Sequence, residues 1–311
     1  MIQPGFLCVG LTPTVQRTLR FSQLTLGEVN RAWEVVTTAS GKAVNVARVL
    51  DTLGADVALV HPLGGDSGRS VERSLGVSQE IIWAPESCPT RTCTTLLTDS
   101  GVTTELVEEA RPLDVKHVEA LLEKLEALLP TVNALALSGS LPPSVAPDFY
   151  ARVIELANAS GVTVFIDAQK EPLRLALAQK PYLAKPNRPE TIAALGLAPE
   201  SDALTCATAL ISAGAQNALV SDGRAGSLLL TAHGAWRILP PTIEVLNPIG
   251  SGDSLLAGLV FRGWYKAEAL PDAACFGTAC AAANCLTLTS GEVRRADVER
   301  LFPQVTLERV Q

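Results

Sequence analysis

Asn247-Pro248-Ile249-Gly250-Ser251-Gly252-Asp253-Ser254 runs directly into Leu255-Leu256-Ala257-Gly258-Leu259. Small residues permit a tight turn, and an apolar, helix-like run begins at the carboxylate. Such a turn aims several backbone N–H groups at one point, at the positive end of a helix dipole. An anion is held there without a lysine. Asp253 stands at the mouth of the same turn, where a base could take a proton from a hydroxyl. The plain alternative is a small-residue turn in which Asp253 is the helix N-cap.

Upstream of this turn the chain alternates helical and strand periods from about residue 114. Helical spacing covers 114–129, 147–160 and 202–213, closed by Pro130, Gly161 and Gly214 respectively. Short apolar runs at 134–137, 162–166, 182–184 and 218–220 read as strands. They end at Ser138, Asp167, Lys185 and Ser221. Strands that each end in a polar turn and lead to a helix predict a parallel sheet with helices on both faces. Ligands of such folds bind at the carboxyl ends of the strands.

The first third differs. Runs at 14–22, 31–38, 91–98 and 103–107 are short and rich in β-branched residues, joined by Gly-containing turns. They predict a small antiparallel sheet, separated into two pairs by a βαβ-like insertion with a helix over 44–53 closed by Gly54. The expected architecture is α/β: three layers around a mainly parallel central sheet, plus a small β-sheet lid. No linker or repeat divides the chain. Residues 1–311 are therefore expected to form a single domain, with lid strands at about 12–38 and 90–108.

Composition narrows the function class. The 311 residues are 47% hydrophobic and 18% charged, which fits a well-buried core. The net charge is −7 and no Lys/Arg cluster occurs, so a nucleic-acid partner is not expected. Seven scattered cysteines without a C-x-x-C read as small apolar residues of a reducing compartment, and three isolated histidines form no zinc motif. The apolar stretch 6–11 lacks the flanks of a signal peptide, and 273–286 is a buried helix rather than a membrane span. A cytoplasmic location without a membrane partner is the resulting expectation.

Five further segments carry chemistry, and each has a plain alternative. Ser40-Gly41-Lys42-Ala43-Val44-Asn45 offers amides, one cation and one amide side chain at a helix start, or an ordinary start with a solvated lysine. Gly64-Gly65-Asp66-Ser67-Gly68 is a close-approach turn before a helix and is weak alone. In Lys185-Pro186-Asn187-Arg188-Pro189-Glu190, Asn187 and Glu190 could hold a water-coordinated Mg²⁺ by outer contacts, or form a capping box. Ser221-Asp222-Gly223-Arg224-Ala225-Gly226 could turn around a phosphate, or close a β-hairpin. Arg91, in Thr90-Arg91-Thr92, could bind a phosphate bidentately, or be surface charge.

Their joint order is more specific than any one of them. Leu26-Gly27-Glu28-Val29-Asn30-Arg31, the run from Ser40 to Leu50, Thr90-Arg91-Thr92, Ser138-Gly139-Ser140-Leu141-Pro142, the run from Lys185 to Glu190 and Gly250-Ser251-Gly252-Asp253 together resemble the PfkB-type sugar kinases of the ribokinase-like superfamily. The resemblance runs from about Cys8 to Gly291 and is greatest to the 1-phosphofructokinase and tagatose-6-phosphate kinase branch. It implies Asp253 as catalytic base, with Gly250, Ser251 and Gly252 as anion hole. Asn187 and Glu190 match positions near Mg²⁺ and the ATP phosphates, with Glu190 acting on the metal through water. Ser221, Gly223 and Gly226 match the turn under the nucleotide, and Asn284 lies on the adenine-side helix. Gly41, Lys42, Asn45, Arg91 and Ser138 match positions around a phosphorylated sugar. A lid of this kind often mediates a homodimer.

The departures sit at the sugar end. The family's usual Asn-Pro-Ala-Leu-Asp is Thr12-Pro13-Thr14-Val15-Gln16 here, so a neutral amide replaces a carboxylate that grips sugar hydroxyls. Gly-Gly-Lys-Gly becomes Ser40-Gly41-Lys42-Ala43, and Asp222 stands where an apolar residue is common. The expected activity is ATP- and Mg²⁺-dependent phosphorylation of a hydroxyl on a phosphorylated ketohexose, with Gln16 a further sugar contact. The alternatives are a kinase for an unphosphorylated sugar and a catalytically silent sugar-binding regulator. A nicotinamide-dependent oxidoreductase is set aside, because no G-x-G-x-x-G follows the first strand.

Overall fold

The computed structural model describes residues 5–310. The expected unit's ends, Met1–Pro4 and Gln311, lie outside them. In chain order the first part comprises β1 (Gly5–Val9), β2 (Thr14–Phe21), β3 (Glu34–Ser40), α1 (Lys42–Leu53), β4 (Val57–Gly64), α2 (Gly65–Arg73), β5 (Ser78–Ala84), β6 (Arg91–Thr98) and β7 (Thr103–Val107). There follow α3 (Val115–Leu128), β8 (Val132–Ser138), α4 (Phe149–Ala159), β9 (Thr163–Asp167), α5 (Lys170–Leu177), β10 (Leu183–Ala184), α6 (Arg188–Leu195), α7 (Ala203–Ser212) and β11 (Asn217–Ser221). The last part is β12 (Ser227–Thr231), β13 (Gly234–Leu239), α8 (Ser251–Val260), α9 (Leu270–Asn284), α10 (Arg295–Leu301) and β14 (Thr306–Arg309).

Ten strands form one sheet in the order β14-β13-β12-β11-β10-β9-β8-β1-β4-β5. The strands from β11 to β5 pair in parallel, whereas β12, β13 and β14 add antiparallel pairs at one edge. Its central strands are buried on both faces, as helix-covered parallel strands must be. One core lies between the sheet and α1, α8, α9 and α10. The other lies on the opposite face, under α3, α4, α5 and α7.

The second sheet has the order β3-β2-β6-β7. The expectation of an antiparallel sheet needs correction here, because its central pair, β2 and β6, runs parallel. Between them the chain passes through β3, α1, β4, α2 and β5, a crossover long enough to return in the same direction. The second strand also starts at Glu34 rather than at Arg31. One face of this sheet, carrying Thr14, Gln16, Thr18, Cys93, Thr95 and Leu97, is buried, and α2 packs on β2 and β3. The other carries Val35 and Leu106, both about half exposed.

Two features place the Gly250 turn. Glycines on α8 and α9 let the two helices meet closely: a Cβ on Gly277 would lie 2.4 Å from the Leu255 carbonyl oxygen, and one on Gly258 would lie 2.8 Å from the Gly277 Cα. Gly250 itself has φ of 84°, and a Cβ there would lie 2.5 Å from the Gly291 nitrogen. Only glycine fits that position. All seven cysteines are free, and five of them are buried.

Candidate active site

Three helices begin at the carboxyl edge of the parallel strands and bring their first turns to one place. α1 starts after Gly41, α6 after Asn187 and α8 after Gly250. The chain folds this way because each start follows a strand or a small-residue turn, and each carries its polar side chain in the first helical turn.

Asp253, in the first turn of α8, is 6% exposed. Asn45, in the first turn of α1, donates from Nδ2 to Asp253 Oδ2 at 2.7 Å. Burial, with help from the charge of Asp167, lifts the Asp253 carboxyl from 3.8 to about 6, against the opposing pull of Lys42, Asn45 and Lys185. A carboxylate so tuned ionises near neutrality while remaining a competent proton acceptor.

Asp167, at the end of β9, is 1% exposed and divided between two ammonium groups. Its Oδ1 lies 3.0 Å from Lys42 Nζ and its Oδ2 lies 3.1 Å from Lys185 Nζ. Burial alone would raise the Asp167 carboxyl, but the two lysines hold it below the ordinary range. Lys42 also reaches Glu190 Oε1 at 3.3 Å. Burial would lower the Lys42 ammonium, yet Asp167, Glu190 and Asp253 keep it above its ordinary value.

Asn187 and Glu190 form the capping box of α6. Asn187 Oδ1 accepts from the Glu190 N–H at 2.7 Å, and Glu190 Oε2 accepts from the Asn187 N–H at 2.9 Å. Glu190 therefore holds a helix start with one oxygen and meets Lys42 with the other. Ser221, at the end of β11, bridges to Asn187 in the parallel sense. The Gly223 and Gly226 turn closes a true hairpin between β11 and β12, and the Asp222 N–H donates to the Gly226 carbonyl at 2.8 Å. Asp222, the residue that departs from an apolar preference, accepts from Arg188 Nε at 2.9 Å.

Four expected contacts are placed differently. Gln16 was expected to touch sugar, but it is buried in the lid sheet and spends its Nε2 on Thr95 Oγ1 at 2.8 Å. Asn45 was expected at the sugar; it instead receives Ser40 Oγ at 3.0 Å and holds Asp253. Asn284 was expected beside the nucleotide, but it is fully buried. Its Oδ1 accepts from the Gly291 N–H at 2.7 Å and its Nδ2 donates to the Ile249 carbonyl at 2.9 Å. That side chain fixes the Gly250 turn from behind. Lys42, one-third exposed in the cleft, is paired with the carboxylates of Asp167 and Glu190. Gln16, Asn45 and Asn284 are buried polar groups that take protein partners, because leaving them unpaired is costly.

Gly41, Lys42 and Ser138 line one narrow cleft with Gly10, Thr12 and Pro13. Ser138 is buried, and its Oγ has no hydrogen-bond partner among the described residues. Thr12 and Pro13 also line a second recess, together with Thr90, Arg91 and Arg111. Arg91 donates to the Thr12 and Glu108 carbonyls, each at 3.1 Å, while its buried Nε has no partner among the described residues.

The signature of the pfkB family carbohydrate kinases matches residues 6–293. The chain belongs to this family. Among solved structures it resembles a candidate phosphofructokinase from Staphylococcus aureus, at 26% identity and a TM-score of 0.79, over 99% of each chain. It also resembles phosphofructokinase-2 from Escherichia coli in complex with fructose 6-phosphate, at 24% identity and a TM-score of 0.85, over 97% of this chain and 99% of that one. A third likeness is to a protein described as a possible 1-phosphofructokinase from Thermotoga maritima, at 21% identity and a TM-score of 0.90, over 99% of this chain and 100% of that one. The ribokinase-like α/β fold with its separate small sheet accords with these.

As a pfkB-family kinase the chain is a phosphotransferase that uses ATP and acts on a carbohydrate hydroxyl. The turn at Gly252 lies at a helix N-terminus beside the Lys185 ammonium, an arrangement that would suit phosphate oxygens. Apart from α8's own backbone and its chain neighbours, a Cβ on Gly252 would meet, among the described residues, Lys185 Nζ at 3.6 Å. Among the described residues no cluster of three or more His, Cys, Asp or Glu groups could hold a metal ion directly. Among the described residues, too, no helix is long and apolar enough to cross a membrane. Asp167 and Lys185, read in the sequence as strand ends at the ligand-binding edge, form the central ion pairs of this site, whereas Arg111 is not singled out there. Arg111 lies in a loop and carries no such signal.

Proposed function

We propose that the chain phosphorylates a hydroxyl of a phosphorylated ketohexose. The observation that carries this reading is the recess beside the acceptor cleft. It shares Thr12 and Pro13 with that cleft and holds Arg91 and Arg111. The chain is acidic overall, with a net charge of −7, so two guanidinium groups lining one recess favour an anionic substituent remote from the reacting hydroxyl. The fructose 6-phosphate bound by the Escherichia coli neighbour is of that class. Gln16, turned into the lid sheet, offers its donor to Thr95 rather than to an uncharged sugar, which weighs against the unphosphorylated alternative.

In this reading Asp253 receives the acceptor's proton, and Asn45 holds the carboxylate in place. The first-turn N–H groups of α8 face the phosphoryl group, since a helix leaves them without intrahelical partners. Asn284 keeps the Gly250 turn in shape. Glu190 orients metal-bound water once Lys42 releases its Oε1. ATP with Mg²⁺ supplies the phosphoryl donor and the charge that offsets its phosphates. The half-exposed lid face with Val35 and Leu106 serves as a homodimer interface. The discriminating experiment is an ADP-release screen on fructose 1-phosphate, fructose 6-phosphate, tagatose 6-phosphate and unphosphorylated hexoses. Preference for a phosphosugar supports the reading, and preference for a neutral hexose overturns it.

A further inference from the structure

Asn45 presents one end of its amide to the base, and a serine from the lid sheet holds the other end. Asn45 Nδ2 donates to Asp253 Oδ2 at 2.7 Å, and Asn45 Oδ1 accepts from Ser40 Oγ at 3.0 Å. A hydroxyl carries a single proton. Ser40 gives its proton to the amide oxygen, so it accepts from Ser290 Oγ, at 2.8 Å. The donors therefore run in one direction, from Ser290 through Ser40 and Asn45 to the carboxylate. All four residues are buried, where hydrogen bonds in a chain polarise one another. Both ends of the serine pair are anchored: Arg48 donates to the Ala39 carbonyl and, at 2.7 Å, to the Ser290 carbonyl. Gly291 closes the remaining side, since a Cβ there would lie 2.5 Å from the Asn45 Cβ. Ser40 ends β3 and pairs with Thr14 of β2, so the hydroxyl belongs to the lid sheet. It stands where the usual Gly-Gly-Lys-Gly motif has a glycine, and no glycine could make these bonds.

We propose that Ser40 is a positioning residue for phosphoryl transfer, whose hydroxyl orients and polarises the Asn45 amide against the base Asp253. It touches neither nucleotide nor sugar and gives up no proton in the reaction. The proposal rests on the reading of Asp253 as the base and is independent of which sugar accepts. Donors aimed at a carboxylate favour its ionised form. Lys42, at the start of α1, and Lys185, just after β10, favour it too, whereas burial and Asp167, on β9, oppose it. Behind Ser290 stands the Arg48 guanidinium, with Glu292 as counter-charge. Replacing Ser40 alters none of these charges, so its effect on Asp253 reports the hydroxyl.

The test is the titration of Asp253 in the full chain without substrate, followed by NMR of labelled aspartate carboxyl carbons. Loss of a signal in Asp253→Asn identifies the resonance. The unaltered protein should give a midpoint at about 6. Ser40→Ala should raise that midpoint by about half to one pH unit, as for one ordinary hydrogen bond. Ser40→Thr keeps the hydroxyl and should leave it in place. The acid limb of kcat/KM should move with the midpoint, and kcat should fall by about two- to tenfold while KM for ATP stays the same. An unmoved midpoint in folded Ser40→Ala overturns the proposal. An equal shift in Ser40→Thr assigns the effect to packing and overturns it too. Should Ser40→Ala fail to fold, Ser290→Ala takes its place; it should raise the midpoint in the same sense, and no shift overturns the proposal. Turnover retained by Asp253→Asn removes the base, and the proposal with it. If the midpoints move as expected while the ADP-release screen favours a neutral hexose, the substrate reading fails and this one stands.

Discussion

Asp253→Asn should inactivate this kinase and at the same time make it more stable, by an amount that depends on pH. Asp253 is buried, and burial lifts its carboxyl from 3.8 to about 6. A carboxyl raised on folding favours the folded state only while protonated. That favour is complete below about pH 4 and is lost as the pH rises through 6. Above that range the folded chain carries an ionised group that is better solvated when unfolded. The difference between 3.8 and about 6 amounts to about 3 kcal/mol, at about 1.36 kcal/mol for each pKa unit. Asparagine removes the charge, and its Oδ1 can still accept from Asn45 Nδ2. Urea unfolding should therefore show a gain of about 3 kcal/mol at pH 8, shrinking to about half of that at pH 5. Turnover should drop by at least the ~10²-fold that loss of a general base brings. A gain of equal size at both pH values, or a loss of stability at pH 8, would refute the assignment of Asp253 as a desolvated, strained base.

The same carboxyl sets the pH profile: kcat/KM for the acceptor should fall on the acid side with a midpoint at about 6, reaching about a tenth of its plateau at pH 5. A plateau that persists to pH 4.5 contradicts this. Glu190→Gln should raise the Mg²⁺ concentration needed for half-maximal rate, because a carboxylate orienting metal-bound water is lost; an unchanged titration leaves Glu190 as a helix cap. Arg91→Ala should raise KM for the phosphosugar by about ten- to 150-fold and leave KM for ATP nearly unchanged. If KM for the phosphosugar stays the same, the recess does not bind the phosphate. Val35→Asp with Leu106→Asp should shift the protein from dimer to monomer in light scattering without unfolding it. A monomeric unaltered protein removes the lid-interface proposal.

Much of the fold is legible in the chain because its signals are local. The apolar runs that become β8, β9 and β11, and the glycines and Pro130 that close the neighbouring helices, act within a few residues of where they stand. The lid strands are readable for the same reason, but their directions are not. Whether β6 runs with or against β2 depends on everything the chain does between them, and that crossover made the central pair parallel. The site divides along the same line. Gly250 to Asp253 announce a helix start with a carboxylate, and the sequence by itself determined that this turn exists. The sequence also determined that Asn187 and Glu190 would meet, since they lie within one helical turn.

Tertiary structure alone decided the partners across the chain. Asn45 and Asp253 are 208 positions apart, and nothing local indicates that one amide would hold the other carboxylate. The sharing of Asp167 between Lys42 and Lys185 arises because β9, β10 and the start of α1 converge at one sheet edge. Packing also gave Gln16 and Asn284 buried protein partners far away in sequence or across a turn, Thr95 and the Gly291 N–H. The physical reason is one of range. Turns and caps are fixed by neighbours in sequence, whereas burial, which lifts the Asp253 carboxyl and forces Asp167 to be shared between two lysines, belongs to the folded whole.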